Sequence, residues 1–252
     1  LQIKLIPVAA VCDPKALLGT TAVVFDVLRA TSTIVTALAA GYRRVYPVAQ
    51  ASAAVALARR HGFVLSGERG GEKIEGFPHG NSPLEFAGGP GTGSSVLVIT
   101  TSNGTGAIRR AASASPVLIG SLLNARAVAR AALEQGQDIS LVCAGTGGLF
   151  SLEDILGAGF VLLEILQQLN PGGGEGKSPE GPAMDDLAIT ACGLARLYHN
   201  DPLAGLYAGQ HGQRLLKLGR EEDLRWCAGL NRFDIAPVFT GEYITLVPDN
   251  NG

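Results

Sequence analysis

One methionine, one tryptophan and five tyrosines in 252 residues leave no aromatic binding platform to read. Charge is sparse as well: 17% of residues are charged and the net charge is −2, which argues against long disordered tails and against non-specific binding along nucleic acid. No apolar run approaches the ~18–20 residues of a membrane span, and the longest, at 155–166, is interrupted by Glu164. The opening residues 1–6 lack a basic stretch followed by a long apolar one, so no signal peptide is expected. The four cysteines (Cys12, Cys143, Cys192, Cys227) show neither C-x-x-C nor Cys/His metal spacing. A zinc site and a disulfide framework are both out of character, and the thiols are expected buried and neutral in a reducing compartment.

What the chain has in quantity is small and aliphatic residues, including 34 glycines, in short β-branched runs that alternate with Ala-rich helical stretches. Strands are expected at 22–25, 45–48, 64–65, 96–99, 117–119 and 139–143, with helices at 32–40, 52–60, 105–112 and 125–134. Thr31 or Ser32 would cap the first helix and Gly41 would stop it. This is the βαβ pattern of an α/β protein: a mostly parallel or mixed sheet with helices on both faces, treated as a single catalytic unit over 1–252. A core of this size needs neither disulfides nor metal to hold it.

Residues 20–75 and 94–150 follow the same order of strand, turn, helix, strand, helix, strand and Gly-Gly. They are either a βαβαβ duplication, whose equivalent strand-end loops would face each other across a cleft, or two ordinary α/β units that agree by chance. Beyond Gly148 the second half turns helical, at 152–169, 185–198, 203–218 and 221–228, before a last strand at 243–247. Residues 170–182, dense in Gly and Pro, read as a mobile surface loop.

Four segments carry candidate chemistry. In residues 25–33 (FDVLRATST), Asp26 follows a strand at the sheet edge where open α/β sheets bind ligands, and Arg29 with the hydroxyls behind it adds anion donors. Haloacid-dehalogenase-type phosphatases also use a strand-end Asp, but they need a second Asp two residues later, where this chain has Leu28. Asp26 therefore reads as a metal ligand rather than a phosphoryl acceptor. Residues 67–86 (GERGGEKIEGFPHGNSPLEF) are too long and polar for an idle connection. Within them Arg69 and Lys73 are the cations for an anionic substrate, Glu68 holds metal or orients an Arg, and Asn81, in a turn, contacts substrate or only fixes the loop. In residues 99–107, a hydroxyl-rich glycine turn with Thr101, Ser102, Asn103 and Thr105 presents donors to an oxyanion or merely caps a helix. It is no P-loop, and the Gly-Lys-Ser at 176–178 has Pro171 where the first Walker glycine belongs. In residues 143–154, Ser151 to Asp154 fits a capping box, which leaves Glu153 as the freer carboxylate for metal. Asp185-Asp186 and His211 read as structural.

Together, FDVLRATST, GERGGEKIEGFPHGNSPLEF, TTSNGTGAI (100–108) and GTGGLFSLEDILGAG (145–159) resemble the 2-phosphosulfolactate phosphatase family, with the Asp223-Leu224…Cys227 stretch extending the likeness. One departure is Gly106, where many members are expected to carry an Arg. The resemblance implies a cytoplasmic, Mg²⁺-dependent hydrolase that cleaves 2-phospho-3-sulfolactate to 3-sulfolactate and phosphate, as in coenzyme M-type sulfonate metabolism. Such a substrate carries about three to four negative charges near neutrality. In-line attack of water is expected, with Mg²⁺ on Asp26 and on Glu153 or Glu68, and with Arg29 and the 101–105 turn stabilising developing charge. A covalent phosphate on Asp26 is the mechanistic rival, and a phosphatase for another small phosphorylated carboxylic acid or a non-catalytic anion-binding module are the alternatives. No nucleic-acid or membrane partner is expected. The apolar helices of the second half offer a surface for a homo-oligomer, though the sequence leaves oligomeric state open.

Overall fold

The computed structural model describes residues 1–170 and 181–246. The strands and helices, in chain order, are β1 (Gln2–Ile6), β2 (Thr20–Phe25), α1 (Ala30–Ala39), β3 (Arg44–Pro47), α2 (Ala51–His61), β4 (Val64–Arg69), β5 (Glu72–Lys73) and β6 (Val96–Thr100). They continue with α3 (Gly104–Arg110), β7 (Val117–Gly120), α4 (Ala125–Glu134), β8 (Asp138–Cys143), α5 (Leu152–Leu169) and β9 (Ala183–Met184). The chain then runs through α6 (Asp186–Leu197), α7 (Pro202–Ala208), α8 (Gln210–Lys217), α9 (Glu221–Cys227), β10 (Pro237–Phe239) and β11 (Ile244–Leu246). The expected α/β class is the observed one, with a mixed sheet and helices on both faces.

The strands line up as β5-β4-β6-β3-β11-β10-β7-β2-β8-β1-β9. Within β4-β6-β3 and within β7-β2-β8 the pairing is parallel, while β10 and β11 join the two sets through antiparallel pairs. The two sets consequently run in opposite directions. Their order is also interleaved: β6 of the second segment lies between β3 and β4 of the first, and β2 of the first lies between β7 and β8 of the second. Exchanging the segments and reversing the order leaves those six positions unchanged.

Period-two alternation sorts the strand side chains into separate cores. Val23, Phe25, Leu118, Leu141 and Cys143 face one way, onto α4, α5 and α6. Ala22, Val24, Ile119 and Val142 face the other way and share a core with α1, α3 and the inward residues Val45, Leu97 and Ile99 of the other strand set. Val98 faces outward onto Ala54 and Ala58 of α2. Two helices thus lie sandwiched between the two halves of one curled sheet. In a flat sheet the ends of β2 and β6 would be five strand spacings, about 24 Å, apart. Instead, a Cβ built at Gly104 would fall 2.5 Å from Asp26 Oδ2.

Helix α1 is buried from Ala30 to Leu38, which explains its lack of charge. Its hydroxyls are not anion donors, as the sequence suggested, because the backbone around them uses them. Ser32 Oγ donates to the Val27 carbonyl, Thr33 Oγ1 to the Asn81 carbonyl and Thr36 Oγ1 to the Ser32 carbonyl, while Thr31 Oγ1 accepts from the Asp26 N–H. The N-cap is Arg29 rather than Thr31 or Ser32, and Gly41 ends the turn at φ +104° as expected.

Other expectations need correction. The single helix at 203–218 is two, α7 and α8, broken at the extended Gly209. Helix α8 packs so closely against α7 that a Cβ on Gly212 would sit 1.9 Å from the Leu206 carbonyl oxygen. Ser151 forms no side-chain cap on α5, so the capping box is not made. The short strands β1, β5, β9 and β10 were not read from the sequence. Of the segment read as a mobile loop, 171–180 lie outside the described residues, as does Val247 of the last expected strand. Among the described residues, no helix is long and apolar enough to cross a membrane.

Candidate active site

Asp26 is the first residue past β2, where the strand stops pairing and the chain turns into α1. Its Oδ1 accepts the N–H of Ala30 at 3.2 Å, so the turn closes on the carboxylate itself, and Oδ2 accepts no hydrogen bond among the described residues. Burial is the largest of the effects that push its pKa up to about 7, followed by the neighbouring Glu68 carboxylate. The Ala30 N–H and Arg29 oppose that rise, and Glu153 adds to it.

Glu68 comes from the end of β4. Residues 68–73 form a tight hairpin in which Glu68 pairs with Lys73 and Arg69 with Glu72, closed by Gly70 and Gly71 at φ +62° and +92°. Two consecutive positive φ angles are the requirement of a type I′ turn, which is why two glycines stand there. Glu68 Oε1 accepts the Ser102 N–H at 2.7 Å, and Oε2 accepts the Gly71 N–H at 2.7 Å and the Ser102 hydroxyl at 3.2 Å. Glu68 therefore ties the β4 hairpin to the turn after β6. Asp154 does the same on the opposite side: burial and nearby carboxylates raise its pKa well above normal, and it accepts the N–H groups of Val27 at 2.8 Å and Gly145 at 3.0 Å.

Arg29 projects from the start of α1 and is almost fully buried. Its Nη1 donates to Asp223 Oδ2 at 2.6 Å and its Nη2 to the Gly71 carbonyl at 2.7 Å. Asp223 Oδ1 accepts the Ser82 hydroxyl at 2.5 Å. Arg29 has five N–H donors, so donors remain for a ligand after these two bonds.

Asp26, Arg29 and Glu68 line a hollow of about 210 Å³ together with Leu28, Gly70, Gly71, Asn81, Ser102, Asn103, Thr146, Gly147, His211 and Arg214. The turns that follow β2, β4, β6 and β8 all contribute. Asn81 Oδ1 is buried there with no hydrogen-bond partner. A buried carbonyl oxygen without a donor is unfavourable by about 1–3 kcal/mol, a cost that a water or a ligand relieves. His211 Nδ1 is likewise buried and unpartnered, and burial, with Arg29, lowers the pKa of its ring.

Of the residues expected from sequence, Asp26, Arg29, Glu68, Asn81, Ser102 and Asn103 meet at this hollow. Arg69 does not. Alternation along β4 puts it on the face opposite Glu68, where it donates to the Ala49 and Glu68 carbonyls and to Thr100 Oγ1. Lys73 is exposed beside Gly80 and lines no part of the hollow. Thr101 and Thr105 bond each other: the Thr105 N–H donates to Thr101 Oγ1 and the Thr105 hydroxyl to the Thr101 carbonyl, which caps α3. Gly106 faces solvent. Glu153 is 2% exposed and opens into an adjoining hollow rather than this one. Among the described residues, no three His, Cys, Asp or Glu side chains form a group able to hold a metal ion; of the two carboxylates expected beside Asp26, Glu68 lines this hollow and Glu153 does not.

A divalent cation still fits the remaining donors. Asp26 and Asn81 both line the hollow, each with a side-chain oxygen that accepts no hydrogen bond among the described residues, and Mg²⁺ needs only one or two carboxylates when water and phosphate oxygens complete its shell. Glu68 is the poorer ligand because both its oxygens already accept hydrogen bonds. Sequence reading gave Asp154 and His211 structural roles, named Asp223 only within the family likeness, and missed Arg214. All lie in helices or at a helix start, where an acidic or basic residue carries no signal until packing reveals its partner.

A family model described as 2-phosphosulpholactate phosphatase matches residues 10–242. A protein of Carboxydothermus hydrogenoformans named "Probable 2-phosphosulfolactate phosphatase" is 42% identical over 216 residues, 85% of this chain and 84% of its own. Proteins of the same name from Symbiobacterium thermophilum and Clostridium novyi are 42% and 35% identical, covering 92% and 97% of this chain and 96% and 100% of theirs. The strings that converge on the hollow lie within the matched residues, and the chain belongs to the 2-phosphosulfolactate phosphatase family.

Proposed function

We propose that the protein is a Mg²⁺-dependent phosphoric monoester hydrolase that releases phosphate from 2-phospho-3-sulfolactate and leaves 3-sulfolactate. The observation that carries this reading is the convergence of Asp26, Arg29, Glu68 and the unpartnered Asn81 Oδ1 on one small hollow. The names of the relatives supply the substrate. A coenzyme M-type context belongs to the same reading. So does action in the reducing cytoplasm, which four buried free cysteines support.

In this reading Asp26 and Asn81 would hold Mg²⁺, whose charge, when bound, offsets that of the phosphoryl oxygens. Arg29, locked at two of its donors by Asp223 and Gly71, aims the rest at the equatorial oxygens without having to reorganise during the reaction. Asn103, held at its Oδ1 by the Gly147 N–H at 3.3 Å, presents its amide hydrogens to the same space. His211, whose pKa burial and Arg29 lower, lines the same hollow as the neutral imidazole that would take the proton of the attacking water. Glu68 orders the loops and keeps Ser102 and Gly71 in place.

The test is phosphate release from a panel of phosphorylated acids, with Mg²⁺ and with chelator, followed by turnover in ¹⁸O-water. Metal-dependent release with one ¹⁸O in the phosphate and no trapped adduct is the expected outcome. A lasting phosphoryl group on Asp26 would replace direct water attack. Tight binding of phospho-acids without any turnover would make the protein an anion-binding module instead.

A further inference from the structure

The small hollow has a neighbour. A second hollow of about 820 Å³ adjoins it, and Thr146, His211 and Arg214 line both. One wall of this larger space is helix α8, with His211, Arg214 and Lys217 at i, i+3 and i+6 and hence along one side of the helix. Facing them is the turn that carries Leu149 and Phe150, which are 72% and 56% exposed and offer no side-chain donors.

Arg214 differs from the other arginine of the catalytic hollow in what it holds. Arg29 is already bonded to Asp223 and Gly71, whereas the Arg214 guanidinium meets no acceptor and no carboxylate among the described residues. It lies across the tip of the β4–β5 hairpin, where the bare glycines leave it room: a Cβ on Gly70 would fall 3.2 Å from its Nη2. Lys217 adds a second cation on the same helix side. The one carboxylate on these walls is Glu153, set at the base of the space beside Gly209. Two cations with no bonded acceptor among the described residues, Arg214 and Lys217, therefore line the space next to the hollow that holds Arg29.

We infer that Arg214, with Lys217 behind it, grips a second strongly acidic group of the substrate, one separated from the phosphate by two or three carbons, and so selects phosphate esters that carry a sulfonate or carboxylate over those that do not. This rests on the phosphatase reading and deepens it by naming the residue that sets substrate class. Arg214 is a specificity residue in this view, and its planar fork suits a carboxylate or sulfonate better than the point charge of a lysine.

The experiment is steady-state kinetics of the full chain with Mg²⁺ on three esters: 2-phospho-3-sulfolactate, 2-phospholactate and 4-nitrophenyl phosphate, which has no further acid. Wild type, Arg214→Gln, Arg214→Lys and Lys217→Gln are compared, each with its thermal melt recorded. Arg214→Gln is expected to cut the ratio of kcat/KM for the sulfonated ester to that for 4-nitrophenyl phosphate by about 10–100-fold, the scale of a hydrogen bond to a charged group. The loss should lie mainly in KM. Arg214→Lys should recover part of the ratio, and Lys217→Gln should lower it less. Binding of 3-sulfolactate, measured by calorimetry, should weaken in parallel. A ratio that stays within about threefold of wild type, or an equal loss on all three esters, overturns the assignment. A wild-type protein that releases phosphate from none of them sinks the phosphatase reading itself. In that case unchanged 3-sulfolactate affinity in Arg214→Gln rejects the grip on its own terms.

Discussion

Arg29 and Asp223, 194 residues apart, share a 2.6 Å hydrogen bond in which each side chain is only 4% exposed. The pair links the first turn of α1 to α9, and Ser82 brings the 67–86 loop onto the same carboxylate at 2.5 Å. A buried pair of this kind matters most through what is left when one partner goes, because the survivor then sits uncompensated in low dielectric.

Asp223→Asn should consequently lower stability by about 3–5 kcal/mol, the range for breaking a buried pair from one side. Activity should fall further than stability explains, since Arg29 loses the bond that aims it. Urea denaturation and kcat of the folded fraction check this. A double-mutant cycle with Ser82→Ala should show non-additivity above about 0.5 kcal/mol, because the two side chains share one carboxylate.

Asp26→Asn makes opposite predictions for activity and for stability. Asp26 binds its proton more tightly in the folded protein (pKa about 7) than its ordinary value of 3.8 allows in the unfolded chain. The stability this lends is complete below about pH 4 and is lost as pH rises through 7. An amide of the same shape removes the penalty, keeps the bond from the Ala30 N–H and removes the metal-binding charge. Without divalent ions, Asp26→Asn should be more stable than wild type at pH 8, by on the order of 1–3 kcal/mol, and close to it at pH 4–5. Phosphate release should collapse. Added Mg²⁺ should raise the melting temperature of wild type and not that of the variant.

Gly104→Ala tests the closeness of the two strand-end turns. The new methyl would stand 2.5 Å from both Asp26 Oδ2 and the Ala30 Cβ, so the α3 turn must shift. Overpacking of this sort typically destabilises by about 1–3 kcal/mol. The expected signature is a loss of kcat disproportionate to the shift in melting temperature. Gly106→Ala, two residues on with nothing within 4 Å, serves as the control.

Lys73→Gln separates the sequence reading of the substrate cations from the structural one. The residue is exposed and lies outside the hollow, so kcat/KM should stay within about twofold, in line with surface substitutions of about ±0.5 kcal/mol. Arg69→Gln should affect stability before activity, because its bonds to Ala49, Glu68 and Thr100 fasten the end of β4.

Much of this protein could be read along the chain because it depends on neighbours in sequence. Short β-branched runs marked β2, β3, β6, β7 and β8, Ala-rich stretches marked α2 and α4, and the length and polarity of the 67–86 loop marked it as more than a connection. Residues at or shortly after a strand end (Asp26, Glu68, Asn103) were likewise legible, since a strand delivers the residues at its end to the sheet edge whatever the rest of the chain does. What only the tertiary structure decided was which way each side chain faces and what it finds there. Arg69 turns away from Glu68 because adjacent strand residues alternate. Thr31, Ser32 and Thr33 are consumed by backbone because their helix is enclosed on all sides. Asp223, His211 and Arg214 reach the site because the chain turns at Gly209 between α7 and α8 and the last helices fold back over it. Long-range packing sets those partners, and no periodicity within a segment encodes the face that a distant helix presents to it.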